Sequence, residues 1–222
     1  MIILTLLTNI AFLSMNIFSL FLAIYGILNF KKLGNLKIFV LLAILSFIDS
    51  FSLILLVQIL DYPNTFNIFS EYFQIFFLNY ELAIIVIFYL NVCLKIKNKL
   101  FYLLPIITTL VLLSVRYFSG QNILDNYLAI FVITEALIVD ICFGILISKK
   151  IKVDSSILRD SENHLNKGFF LFVNTTAPYY LVINNIYKYN KEAVTAFSFI
   201  GSFGYIILFY HIYKAVKCSL LK

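Results

Sequence analysis

The sequence has few charged residues. Asp, Glu, Lys and Arg make up 13% of its 222 residues, whereas about a quarter of a soluble domain is charged. Hydrophobic residues make up 62%. A globular core cannot hide that much apolar surface, because even a 300-residue domain leaves about a quarter of its unfolded-chain surface exposed. The composition therefore excludes a soluble domain and predicts a protein covered by lipid.

Cysteine and histidine are also scarce. Cys93, Cys142 and Cys218 form no CxxC pair, and the only histidines are His164 and His211. Zinc sites need clusters of such residues, so we expect neither a metal nor a disulfide. The sequence has no HExxH, GxSxG or P-loop motif, which are signatures of catalytic or phosphate-binding sites. We therefore expect no enzyme and no cofactor.

Two further absences exclude classes of protein. The last apolar run, 194–215, has no lysine in its middle, and a retinal pigment needs one there for its Schiff base. The net charge of +6 comes from short lysine runs between apolar stretches, not from one basic face. Nucleic-acid binding depends on such a face, so we expect no nucleic-acid partner.

Seven apolar runs are long enough to cross about 30 Å of hydrocarbon, which takes roughly 20 helical residues. They lie at about 3–30, 38–60, 68–94, 100–118, 127–148, 168–187 and 194–215. The breaks between them are short and polar, except for SKKIKVDSSILRDSENHLNKG between the fifth and the sixth. The sixth run is the least apolar. We predict an all-α, polytopic transmembrane bundle of seven helices, forming one integral membrane domain over 1–222.

The basic residues predict an orientation. Fourteen of the seventeen lie after the first, third and fifth runs or in the tail, and only Arg116, Lys188 and Lys191 lie on the opposite side. Cytoplasmic loops of membrane proteins carry the excess of lysine and arginine. An odd number of spans then places the N-terminus outside and the C-terminus in the cytoplasm.

Acidic residues at membrane depth mark candidate sites. They are Asp49 in the second span, Glu81 in the third, and Glu135 and Asp140 in the fifth. An aspartate at a helix centre costs about 2.5–3.5 kcal/mol on insertion scales. No lysine or arginine lies at comparable depth to pair with them. We expect these carboxyls to be protonated, to be hydrogen-bonded, to face water or to hold a cation.

Polar residues share faces on three spans. In the third, Asn67, Glu71, Gln74 and Glu81 recur at helical spacing, which predicts an inward stripe with Glu71 and Gln74 at a cavity entrance. Glu71 near the surface could equally be only solvated. In the second span, Ser46 and Ser50 share the face of Asp49. Glu135 and Asp140 point about 140° apart at ~100° per residue, which favours different contacts.

The sixth span completes the predicted site. Pro178 frees a backbone carbonyl near Asn174, and the tyrosines suit a helix that lines a cavity. The side chain of Asn174 could instead form a hydrogen bond to a neighbouring helix. We predict an intramembrane site for a polar ligand or proton made of Asp49, Glu81, Glu135, Asp140, Asn174 and Tyr180. His211, near the cytoplasmic end of the last span, is a candidate proton relay or an interfacial residue with one partner.

A faint internal repeat relates the two ends of the chain. YGILNFKK at Tyr25–Lys32 matches FGILISKK at Phe143–Lys150. Spans one to three would then correspond to spans five to seven in parallel, as in several small carriers. A chain rich in phenylalanine and isoleucine also matches itself by chance.

The third and sixth spans carry a resemblance at the level of pattern. FNIFSEYFQIFFLNYELAIIVIFY and GFFLFVNTTAPYYLVINNIY are glutamate- or asparagine-bearing helices, similar to those of uncharacterised bacterial inner-membrane proteins with seven spans. The resemblance implies a multi-pass protein of the cell membrane, in bacteria the inner membrane. It transfers no activity.

Two functions fit these patterns. One is a receptor-like or sensory protein whose polar cavity binds a small ligand or proton and moves helices toward a separate cytoplasmic or membrane partner. The other is a small carrier whose intramembrane carboxylates bind protons or a cationic substrate.

Overall fold

The structure is a computed structural model, and it describes residues 2–53, 63–93, 103, 107–112, 114, 124–153, 160–187 and 198–221. These ranges contain helices and turns and no strand. The long helices are α1 (Ile2–Leu28), α2 (Lys37–Leu53), α3 (Pro63–Cys93), α4 (Leu124–Val153), α5 (Asp160–Tyr187) and α6 (Phe199–Leu220). The all-α prediction is confirmed over this part of the chain.

Five helices in the described ranges are long and apolar enough to cross a membrane. Their apolar stretches are Ile3–Leu28, Gly34–Ser52, Ile75–Cys93, Ile130–Ser148 and Phe199–Leu220. A 19-residue helix is about 28 Å long at 1.5 Å per residue, which matches the hydrocarbon layer. These helices support assignment to a membrane. α5 is not among them, in keeping with its polar composition, and most of the predicted fourth span, 100–118, lies outside the described residues.

The connection between α4 and α5, which the sequence predicts to be the longest, is shorter in the structure than predicted. α4 continues to Val153 and α5 begins at Asp160, eight residues before the predicted start of the sixth span at 168. Asp160 and Glu162 lie in the first turn of α5, where negative charge interacts favourably with the helix dipole. The polar residues 160–167 therefore extend the helix beyond its apolar part.

A tight turn joins α1 and α2 as an antiparallel pair. It consists of two short 3-10 segments, Phe30–Lys32 and Gly34–Leu36, and Gly34 has a positive φ of 51°, a conformation that glycine adopts without a steric penalty. Near this turn the backbone at Gly26 approaches Val40 so closely that a Cβ at residue 26 would overlap both methyl groups of Val40. The two helices are thus in close contact at the turn.

The helices form a ring in chain order. Each described helix packs against the next, and α1 packs against α6 to close the ring. The rings of Tyr25 and Tyr213, both near the C-terminal ends of their helices, meet edge to face at 5.4 Å. Phe143 in α4 stacks on Phe170 in α5 at 4.0 Å. One end of the bundle therefore gathers the ends of α1, α3, α4 and α6 and the starts of α2 and α5. We call it the lysine-rich end, because Lys31, Lys32, Lys37, Lys167, Lys214 and Lys217 lie there.

An aromatic cluster fills the interior near the lysine-rich end. It comprises Phe39 of α2, Phe88 of α3 and Phe169 of α5, whose ring centroids are 5.4–6.3 Å apart. All three side chains are buried, and they belong to one continuous core with Leu208 and Phe209 of α6. Most side chains packed in this half of the bundle are apolar, and Tyr89 donates one buried hydrogen bond there to Oδ1 of Asn166 at 2.9 Å.

Candidate functional site

A cavity of about 200 Å³ lies inside the ring. Five of the described helices contribute to its wall, and the described lining side chains are Phe12, Met15, Ser46, Asp49, Ser50, Phe77, Leu78, Tyr180 and Tyr205. Ser46, Asp49 and Ser50 recur one helical turn apart on α2, so that one polar face of that helix meets the cavity. The rest of the wall is aromatic or aliphatic.

The cavity lies toward the end of the bundle opposite the lysines. On α5 and α6 its residues, Tyr180 and Tyr205, are seven residues before the end and six after the start of their helices. On α2, Asp49 is twelve residues from Lys37, or about 18 Å along the axis. The aromatic cluster occupies the space between the cavity and the lysine-rich end. The polar and the apolar halves of the interior are thus stacked along the bundle axis.

Two glutamates lie beside this cavity in the core. Glu81 of α3 is 1% exposed and Glu135 of α4 is 4% exposed, and their charges are close enough to interact. Tyr205 donates a hydrogen bond from its hydroxyl to Oε2 of Glu81 at 3.1 Å. Oε1 of each glutamate is buried without a hydrogen-bond partner among the described residues.

Tyr180 relates Asp49 to the two glutamates electrostatically. Its hydroxyl is within electrostatic range of Asp49, Glu81 and Glu135, and Tyr205 is within range of Tyr180 and of both glutamates. Oδ1 of Asp49 is also buried without a partner in the described part of the chain. We call Asp49, Glu81, Glu135, Tyr180 and Tyr205 the carboxyl–tyrosine cluster.

No protein family, curated protein or solved structure matches this chain.

The other two predicted site residues lie elsewhere. Asp140 and Asn174 are exposed on the outer surface of α4 and α5, where Asn174 donates a hydrogen bond from Nδ2 to Oδ1 of Asp140 at 2.9 Å. The same amide also donates to the carbonyl of Phe170 in its own helix. The pair bonds α4 to α5 on the side away from the cavity. Positions 135 and 140 point in different directions around the axis of α4, so one side chain faces the interior and the other faces the outer surface.

The bond between Asp140 and Asn174 can be tested by a double-mutant cycle. We expect Asp140→Ala and Asn174→Ala to be coupled by about 0.5–1.5 kcal/mol, the range for hydrogen bonds between membrane helices. The measurement is reversible unfolding in mixed detergent micelles followed by circular dichroism. Thr175→Ala is the matched control, because Thr175 donates to Leu171 in its own helix. Coupling of Asp140→Ala to Thr175→Ala as strong as that to Asn174→Ala would argue against the bond.

The remaining predicted positions are placed in part. Glu71 and Gln74, the predicted entrance, lie on α3, but their side chains are outside the described residues. His211 lies near the lysine-rich end of α6, and its ring is 5.9 Å from that of His164 in α5. Burial lowers the pKa of His164, and the charges of Lys167 and Lys214 lower it further. The sequence places His164 in the connection between the fifth and the sixth span, whereas in the structure it lies in α5, where its ring meets that of His211.

Tyr205 and the aromatic wall were not identified from the sequence. Tyr205 is one of fifteen tyrosines, and no spacing distinguishes it from the others. The only useful signal is chemical: a buried tyrosine needs a partner for its hydroxyl, and Glu81 was already identified as an acceptor at similar depth. Which tyrosine meets it depends on the packing of α3 against α6.

Proposed function

We propose that this chain is a receptor-like sensory protein of a cell membrane, in which a small ligand or proton acts at the carboxyl–tyrosine cluster. The observation that carries the proposal is the position of the cavity. It adjoins three carboxyls in the lysine-poor half of the bundle, and packed aromatic side chains separate it from the lysine-rich end. A site confined to one half of the bundle, with packed side chains in the other half, suits detection better than passage.

The proposal includes seven spans with the N-terminus outside. The positive-inside rule puts the lysine-rich end in the cytoplasm. α3 ends and α4 begins at opposite ends of the bundle, which favours one more crossing between them, and the predicted span 100–118 is apolar enough for it. The resemblance to bacterial proteins favours the inner membrane.

α5 and α6 are the helices that would carry the signal. Both contribute a tyrosine to the cavity. Their other ends meet at His164 and His211 near the lysine-rich end. A change in the cavity therefore acts on a helix pair that reaches the opposite surface. We propose that a separate membrane or cytoplasmic protein receives the signal, and that the chain itself has no catalytic role.

A proteoliposome experiment with protons as the probe tests this function. The label is an environment-sensitive fluorophore on Cys218, near the end of α6, in a background of Cys93→Ser and Cys142→Ser. The vesicles start in an alkaline medium in which the carboxyls are ionised, and acidifying the outer medium adds protons to them and relieves the repulsion between Glu81 and Glu135. We expect the fluorescence at Cys218 to change, the change to be lost in Glu81→Gln, and the change to persist in Asp140→Asn, whose carboxyl is outside the cluster. An identical response in all three proteins would contradict the proposal.

A carrier is the second candidate. One observation favours it: the cavity is lined by residues from both ends of the chain, from α1, α2 and α3 and from α5 and α6, as expected if two repeats along the chain enclose a transported substrate. A pH dye trapped in the same vesicles separates the two functions. A carrier admits protons at a rate that Glu81→Gln reduces, whereas a sensor leaves the rate equal to that of protein-free vesicles.

A further inference from the structure

The wall of the cavity combines two kinds of chemistry. Asp49 brings a carboxyl, with Ser46 and Ser50 beside it on the same face of α2. The rings of Phe12, Phe77, Tyr180 and Tyr205 form other parts of the same wall. Aromatic faces carry negative charge density and attract cations within about 6 Å of the ring centroid. Both the acid and the rings therefore favour a positively charged occupant.

No fixed positive charge competes for that position on the helices that form the wall. α1 and α3 contain no lysine or arginine, and those of α2, α5 and α6 lie near the lysine-rich end, at Lys37, Lys167, Lys214 and Lys217. Arg116, Lys188 and Lys191 lie outside the described residues. Oδ1 of Asp49 has no hydrogen-bond partner in the described ranges. A half-buried carboxyl with one buried, unpartnered oxygen gains from a cation that enters the cavity.

The size of the cavity distinguishes organic from inorganic cations. A cavity of about 150 Å³ is enough to bind benzene, and this one is about 200 Å³. In the described part of the chain, no three His, Cys, Asp or Glu side chains are arranged to hold a metal ion. A bare ion gains no favourable contact from the apolar side chains of Met15 and Leu78 in the wall. The occupant should therefore have an apolar body about the size of one aromatic ring.

We propose that the cavity binds a small organic ammonium cation, a primary amine on a single ring or a short alkyl group, with Asp49 as its counter-charge. This inference rests on the proposed function, because it assigns a ligand to the same site. The ammonium group lies between Asp49 and the hydroxyls of Ser46 and Ser50, and the apolar body lies against Phe12 and Phe77. Tyr205 contacts the ligand on one side and Glu81 on the other, so that binding reaches the buried glutamates through one hydroxyl.

Benzylamine and benzyl alcohol are matched probes for this site. They have nearly the same shape, and only the amine is charged at neutral pH. Binding is measured by calorimetry on the protein in lipid nanodiscs, with empty nanodiscs subtracting partition into the lipid. We expect benzylamine to bind about tenfold or more tightly than benzyl alcohol. Asp49→Asn should remove that preference while binding of benzyl alcohol is unchanged, and Asp140→Asn, with its carboxyl outside the cavity, should leave both affinities unchanged.

The outcomes separate the ligand class from the function. Equal affinity for the two probes, or a preference that survives Asp49→Asn, would overturn the ammonium assignment, as would the absence of binding by either probe. The proton response measured at Cys218 does not depend on amine binding. If that response persists while the amine test fails, the sensory function stands and only the ligand class is wrong. Loss of both would reject the site as a whole.

Discussion

Replacing Gly168 with alanine is expected to weaken the contact between α5 and α6 by about 1–3 kcal/mol, the usual cost of overpacking. A Cβ at residue 168 would lie 2.6 Å from Cβ of His211. That atom is fixed to the backbone of α6 and cannot turn away, so the two helices have to separate. The gain of about 1 kcal/mol in helix propensity from glycine to alanine offsets only part of this cost.

Gly144→Ala in α4 is the matched control for this prediction. Nothing lies within 4 Å of a Cβ at residue 144, so alanine there should leave stability unchanged or raise it by up to about 1 kcal/mol. His211→Ala should not rescue Gly168→Ala, since alanine retains the Cβ that causes the overlap. The measurement is unfolding in mixed micelles. Equal stability of the two alanine variants would show that α5 and α6 do not approach each other closely at Gly168.

The second large effect is a gain in stability. At a pH at which the carboxyl is ionised, Glu135→Gln is expected to stabilise the bundle by on the order of 3 kcal/mol, the cost of a charged side chain at membrane depth. Glu135 is 4% exposed, its Oε1 has no partner in the described ranges, and Glu81 is near enough to repel it. Glutamine has the same shape without the charge. The gain should grow as the pH rises, because deprotonation adds negative charge to the same buried space.

A double-mutant cycle identifies the source of this gain. Glu81→Gln and Glu135→Gln relieve the same repulsion, so the double variant should gain less than the sum of the two single variants. Asp140→Asn provides the comparison, since that carboxyl is exposed and bonded to Asn174, and it should show no coupling to Glu81→Gln. Destabilisation by Glu135→Gln would show instead that a donor or cation holds this carboxylate in the native bundle.

The same comparison tests why the acids are present. Buried charges that lower stability are typically retained where a function needs them. If Glu135→Gln stabilises the protein and also abolishes the proton response at Cys218, the sensory mechanism requires the carboxyl that lowers stability. A stabilised variant with a normal response would restrict the mechanism to Glu81 and Asp49.

Some features of the site could be predicted residue by residue. The depth of Asp49, Glu81 and Glu135 within apolar runs identified them as candidates, because an ionisable group in hydrocarbon is rarely there by accident. The shared face of Ser46, Asp49 and Ser50 follows from helical periodicity alone, and these three residues line the cavity. Tyr180 was proposed as a cavity residue and lies in its wall.

Other features could not be predicted, because they depend on how the helices are rotated about their axes. Asn174 and Asp140 were assigned to the same polar site as Glu81, yet they bond to each other on the outer surface. Periodicity separates the faces of one helix but does not say which face meets the interior when both carry an acid. Tyr205 is a hydrogen-bond partner of Glu81 although 124 residues separate them.

The sequence by itself determined that this is a helical chain suited to lipid. It has few charged residues and long apolar runs, and a backbone with side chains of this composition has no stable alternative in water. It also determined which helix ends carry the lysines. Only the tertiary structure decided that Glu81 of α3 and Glu135 of α4 lie buried near each other beside a cavity lined by Asp49 of α2, and that an aromatic cluster fills the other half. The physical reason is that hydropathy acts on each helix separately, whereas the cavity arises from the ridges, glycine contacts and aromatic rings by which α1, α2, α3, α5 and α6 pack together.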